Sequence, residues 1–274
     1  MEGDATDSGT GTRARDYPPL IGTMNTDDTK TTASQYREHL RSLVRCAVNT
    51  LPQVRFNKND PQHFVVICLY GTILQSASDC YRLMQEPTVL LAAALRSILE
   101  SYVDLVAIIG DRDHAKRMLA TFHDEQRKHL EDMIRAPANP FHVDVAQHID
   151  PAEKLKEVGA ELQSLREQGH HPLSVYDRFA QAGLTDLYRT AYWQLLQGHN
   201  NIVALERRHI RRVGEDFEID VFSENTDDEI CMHCDTLGGI LVQSTRKLYE
   251  LVGFSMPADF ERTIAAFEAA RPPH

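Results

Sequence analysis

The sequence predicts an all-α protein: a single multi-helix bundle of about ten helices preceded by a disordered N-terminal tail. Three observations carry that reading. Helix start and stop signals recur along the chain, alternating apolar and polar runs are nearly absent, and Thr88 to Gly110 forms one long apolar stretch.

Residues 1–30 combine Gly, Thr, Asp and Ser without apolar periodicity and are expected to be disordered. A first helix is expected over 33–50. Asp60-Pro61 opens a second, over 61–86, because a capping carboxylate precedes a proline at the first helical position. A third covers 88–109 and ends at Gly110, and a fourth covers 112–135. Asp150-Pro151 opens 151–168, which Gly169 closes, and Ser174 to Asp177 starts 174–182. Helices over 185–198 and 200–213 follow, with Gly198 ending one and Asn200 or Asn201 capping the next. Thr226 to Glu229 has capping-box spacing and opens 227–252, and 257–270 completes the set. The short run 218–221 is the only strand candidate and is too short to build a sheet. The connections 136–149 and 214–225 do not resemble interdomain linkers, so 31–274 is expected to form one domain.

The 29 Lys plus Arg against 40 Asp plus Glu leave a net charge of −11. That argues against general binding to nucleic acid or anionic lipid, though not against a local basic groove. No basic region followed by an apolar one opens the chain, so a cytoplasmic location is expected. The 88–110 run is long enough to span a bilayer. However, Arg96, Glu100 and Asp104 would each cost ~2.5–3.5 kcal/mol near its centre, so no membrane association is expected. The five cysteines (Cys46, Cys68, Cys80, Cys231, Cys234) read as reduced thiols.

Arg96 and Glu100 lie four residues apart, so both leave the same face of a helix that is otherwise apolar almost all round. Buried unpaired charge is not tolerated there, so something must answer them. Either the pair fixes helix register structurally, or it lies in a cleft where Arg96 holds an anion and Glu100 orients a histidine or accepts a proton. As a structural pair, its loss through Arg96→Ala is expected to cost ~3–5 kcal/mol.

Two blocks together resemble a known group. One is Leu95-Arg96-Ser97-Ile98-Leu99-Glu100-Ser101-Tyr102, continuing through Asp104-Leu105. The other runs from Ser174-Val175-Tyr176 through Leu187-Tyr188-Arg189 and His199-Asn200-Asn201 to Leu205-Glu206-Arg207-Arg208-His209. Over about 60–213 the chain resembles an uncharacterised family of bacterial helical proteins, catalogued as a domain of unknown function, with an Arg-x3-Glu helix and a later Tyr-Arg…His helix. That family in turn looks like the HEPN group, many of whose members are metal-independent ribonucleases in toxin or phage-defence systems. Nine residues separate Arg189 from His199, a longer spacing than the usual signature of that group.

The resemblance implies a defence, stress or toxin protein that cleaves RNA without a metal. Its catalytic candidates are His199, Glu100 and Arg96, and its substrate-binding candidates are Arg189, Tyr188, Tyr192, Asn200, Arg207 and Arg208. From the residues alone, His199 beside a helix start suits a general base or a plain hydrogen-bonding link. Tyr188 and Tyr192 suit core and rim positions or a stacking platform. The basic cluster Arg207 to Arg212 either guides a phosphate backbone or pairs with Glu215, Asp216, Glu218 and Asp220. No metal or cofactor is expected: Cys231-x-x-Cys234 has no second ligand pair, and His114, His123, Glu125 and His129 lack metal-site spacing. The alternative function is a non-catalytic bundle that binds a partner protein or small nucleotide. Candidate partners are RNA or a nucleotide, a protein such as an antitoxin, and a second copy of the chain.

One spatial expectation underlies both functions. The 88–109 helix should pack against 185–200, bringing Arg96 or Glu100 within hydrogen-bond or one-water reach of Tyr188, Tyr192 or His199. Ser76 and Asp79 are the competing partners.

Overall fold

A computed structural model of the chain describes residues 32–86, 88, 90–146, 148–195, 206, 209–214, 216–220 and 225–272. Ten α-helices lie among the described residues: α1 Thr32–Thr50, α2 Pro61–Leu83, α3 Leu90–Gly110, α4 His114–Arg135, α5 Pro140–Ala146, α6 Pro151–Glu167, α7 Val175–Gln181, α8 Thr185–Leu187, α9 Asp227–Val252 and α10 Ala258–Ala269. Helix α8 runs directly into a π-helical turn, Tyr188–Tyr192.

The sequence signals act as expected where they are strongest. Asp60 accepts from the Gln62 amide at 2.9 Å and Asp150 from those of Ala152 and Glu153, so each carboxylate satisfies donors that a helix start leaves free. Capping boxes at Ser174/Asp177 and Thr226/Glu229 start α7 and α9.

Helix α2 packs along α3, α1 lies against α9 and α10, and α9 closes over α2 and α3. Leu40, Val66, Ile73, Leu95, Leu99, Val103, Leu241 and Phe260 are buried in one continuous core shared by these helices. Helices α4 and α6 pair as a hairpin with a small core of their own, Leu130, Met133 and Val158. By length and composition α2 is apolar enough to cross a membrane; in the fold it lies against α3, α9 and α1. Gln62 on α2 donates through Nε2 to the Ile108 carbonyl at 2.7 Å and to that of Ile109, capping the last turn of α3 and fixing its depth in the bundle.

Two readings of the sequence need correction. Over 210–213 the expected helix gives way to strand β1, Ile210–Val213, paired antiparallel with β2, Asp216–Ile219, in the register Ile210↔Ile219, while Glu206 and His209 are helical as expected. Gly214 adopts φ 65° at the turn, a conformation glycine takes without steric cost. Arg211 pairs across the hairpin with Glu218. Phe217 and Ile219 are largely exposed, so core burial does not select the period, and the apolar pattern carried no usable signal. The connection 136–149 contains α5, started by Asn139, whose Oδ1 accepts from the Phe141 amide at 3.1 Å ahead of Pro140.

Candidate functional site: a polar ladder on α3

Arg96, Glu100 and Asp104 follow one another at four-residue spacing and form a single stripe along α3, whose other faces bury Leu95, Leu99, Val103 and Ile108. Their side chains are 37%, 23% and 5% exposed, so the ladder descends from the surface into the interior. Desolvation therefore grows along it, and the demand for partners is greatest at Asp104.

The partners come from three other elements. The π-turn supplies Tyr192, buried beneath the Arg96 guanidinium, which stands 5.2 Å from the ring centroid. The Arg96 Nε–H is shared between Glu100 Oε1 at 3.1 Å and the Tyr192 hydroxyl at 3.0 Å, and that hydroxyl donates to Glu100 Oε1 at 2.9 Å. Burial and the neighbouring Glu100 carboxylate push the Tyr192 phenol above its ordinary value, against the opposing pull of Arg96. Tyr188 stacks on Tyr192 at 5.2 Å, and Phe179 of α7 closes against both rings. π-Turns are uncommon and frequently mark functional segments. Here the turn stacks two tyrosines and aims one hydroxyl at α3.

Helix α7 supplies Arg178. Its Nη1 donates to Glu100 Oε2 at 3.3 Å, its Nε to Asp104 Oδ1 at 2.8 Å, and its Nη2 to Asp104 Oδ2 and the Glu100 carbonyl. One planar fork thus spans both acids, a geometry a lysine cannot reproduce. From α4, the fully buried His114 places Nε2 3.1 Å from Asp104 Oδ1 and Nδ1 2.9 Å from Gln181 Oε1.

Burial alone would raise the Asp104 carboxyl, but hydrogen bonds from His114 and Arg178, reinforced by their charge, hold it below the usual carboxylate range. A carboxyl depressed in the folded state stabilises the fold above its unfolded value, near 3.9, and that contribution is lost as pH falls through the folded value. Urea midpoints of the native chain should therefore drop steeply below about pH 4. Asp104→Asn should lower the midpoint at neutral pH and flatten its acid slope. An unchanged slope would show that Asp104 is not the titrating group.

Arg96, Glu100 and Tyr192 thus come together as the sequence suggested. Tyr188 reaches the cluster through its ring, and its hydroxyl meets neither charge. Arg189 is exposed and makes no hydrogen bond or ion pair with the ladder. His199, Asn200, Arg207 and Arg208 lie outside the described residues. Arg212 reaches Glu206 at 3.9 Å, so with the Arg211–Glu218 pair the described part of the basic cluster is self-paired. The competing partners stay away, and Asp79 pairs with Arg82 instead.

Arg178, His114 and Gln181 were missed as site residues. A signal for them existed in part: Asp104 continues the 96/100 spacing, and two acids against one arginine require a second cation. Among the described residues, no group of three His, Cys, Asp or Glu side chains converges in a way that would hold a metal. Cys80 and Cys234 are buried, and desolvation pushes each thiol up to about 12.

A family model described as a family of unknown function (DUF5677) matches residues 63–217. The chain belongs to this family. Every residue of the ladder and every partner named for it falls inside the DUF5677 match, whereas α1, α9 and α10 lie outside it. No curated protein matches the chain, and neither does any solved structure.

Proposed function

We propose that this DUF5677 protein is a non-catalytic helical binding module whose α3 ladder is structural and whose ligand is a small nucleotide or a partner protein. The observation that supports this reading is the engagement of the acids by donors within the bundle. Each oxygen of Glu100 and of Asp104 already accepts at least one hydrogen bond, from Arg96, Tyr192, Arg178 or His114. A general base must present an accessible lone pair to its substrate, and both carboxylates are turned toward donors of their own bundle instead. The test is incubation of the purified chain with mixed RNA in EDTA. The RNA should remain intact, and cleavage above the buffer control that Arg96→Ala or His199→Ala abolishes would refute the proposal.

One observation favours a second reading, metal-independent RNA cleavage by a cytoplasmic defence, stress or toxin protein of the HEPN type. Only Nε of Arg96 is engaged. Among the described residues its two terminal nitrogens meet no acceptor, and the side chain is 37% exposed beside the turn that leads toward His199. In that chemistry the ribose 2′-hydroxyl loses its proton to His199 and attacks the adjacent phosphate, the Arg96 terminal nitrogens stabilise the phosphorane charge, and the bond to the 5′-oxygen breaks, leaving a 2′,3′-cyclic phosphate and a 5′-hydroxyl that takes up a proton. The same assay decides between the two readings.

A further inference from the structure

Helix α1 carries Arg37, Arg41 and Arg45 at four-residue spacing, and Arg41 and Arg45 line a cleft against α2. Like charges at that spacing repel and destabilise a helix, so the ladder opposes the fold unless acids answer it. Only part of it is answered. Arg41 reaches Glu38 at 3.4 Å, while that acid is also held by the Tyr81 hydroxyl at 3.3 Å. Across the cleft Arg82 stands 3.7 Å from Asp79. Arg45 makes no ion pair among the described residues, and the buried Nε of Arg37 has no hydrogen-bond partner there. Four arginines therefore meet two acids, in a chain whose net charge is −11.

This local excess of positive charge lines a real concavity. A cleft of about 300 Å³ opens between α1 and α2, walled by Arg41, Arg45 and Arg82, with Ser78 and Gln85 adding neutral polar groups and Tyr81, whose hydroxyl is held by Glu38, adding its ring. Guanidinium forks from two helices beside one cleft can match the paired oxygens of a phosphate, and the Ser78 hydroxyl and Gln85 amide suit its remaining acceptors. The cleft shares no residue with the α3 ladder.

We infer that the cleft between α1 and α2 is an anion site that binds the phosphates of a small diphosphate ligand. This rests on reading the chain as a binding module and names the ligand chemistry and place that reading leaves open. The acidic surface elsewhere disfavours a long polyanion, whereas a compact diphosphate needs only the cleft.

Calorimetric titration of the full chain with inorganic pyrophosphate tests the assignment, against the exposed-site double variant Arg45→Gln/Arg82→Gln. The native chain should bind, more weakly as salt rises, and the double variant should lose about tenfold or more in affinity while keeping its melting temperature. Absence of binding at millimolar pyrophosphate, or equal affinity in the variant, overturns the site. A short single-stranded RNA that displaces pyrophosphate far more effectively than its phosphate content explains would overturn the small-ligand assignment. RNA cleavage in EDTA would instead refute the binding-module reading, so the two failures are distinguishable.

Discussion

Replacing Arg178 with alanine should cost this protein ~3–5 kcal/mol of folding stability, more than the loss of Arg96 from the α3 ladder. The substitution strips Asp104, whose side chain is only 5% exposed, of its arginine and leaves His114 as its remaining side-chain hydrogen-bond partner. It also removes one of the donors to Glu100. Arg96→Ala should cost only ~1 kcal/mol, because Arg96 is 37% exposed and its acid keeps Arg178 and the Tyr192 hydroxyl. The larger penalty that the sequence assigned to Arg96 therefore moves to Arg178. Arg178→Lys should recover only a minor share, since a single ammonium cannot bridge two carboxylates as the planar fork does. Urea denaturation of the three variants reads the ordering from midpoints at constant m. If Arg178→Ala proved no worse than Arg96→Ala, the clamp would not be holding α7 to α3.

How much of this was legible in the sequence follows from where the information sits. Local grammar was legible because a cap is local: Asp60-Pro61, Asp150-Pro151 and Thr226 to Glu229 each specify a helix start within four residues. Asn139-Pro140 speaks the same language, and α5 was overlooked only because its seven residues carry no apolar stripe toward the core. The β1–β2 hairpin was illegible for the opposite reason. Its side chains lie mostly in solvent, so burial imposes no period on Ile210 to Ile219. For the site, charge in an apolar helix located α3, and the aromatic stripe pointed to Tyr192. Arg178 escaped because it lies on a seven-residue helix of mixed composition, and nothing local says that its side chain crosses to Asp104, seventy-four positions away. Pairing between distant segments is a tertiary fact. Only the charge imbalance of the ladder hinted at it.

Adjacent glycines on α9 should respond in opposite directions to the same substitution. A Cβ built at Gly238 would lie 1.9 Å from Cζ of Phe267 on α10, whereas one at Gly239 meets nothing within 4 Å. Alanine at either position gains ~1 kcal/mol of helix propensity over glycine. At Gly239 nothing opposes that gain, so Gly239→Ala should be neutral or stabilising by up to ~1 kcal/mol. At Gly238 the ring must move, and it is not free to do so. Phe267 is buried and stacks on Tyr36 of α1 at 4.9 Å, and the Tyr36 hydroxyl donates to Asp235, one turn before Gly238 on α9. Arg271 reaches the same carboxylate at 2.6 Å. Displacing the ring therefore disturbs the junction of α1, α9 and α10, and overpacking of that kind costs ~1–3 kcal/mol even after side chains shift. Gly238→Ala should be destabilising on balance, and Phe267→Leu in the same chain should restore part of the loss, giving a measurable coupling in a double-mutant cycle. Additive effects of the two substitutions would mean that the ring does not rest on Gly238.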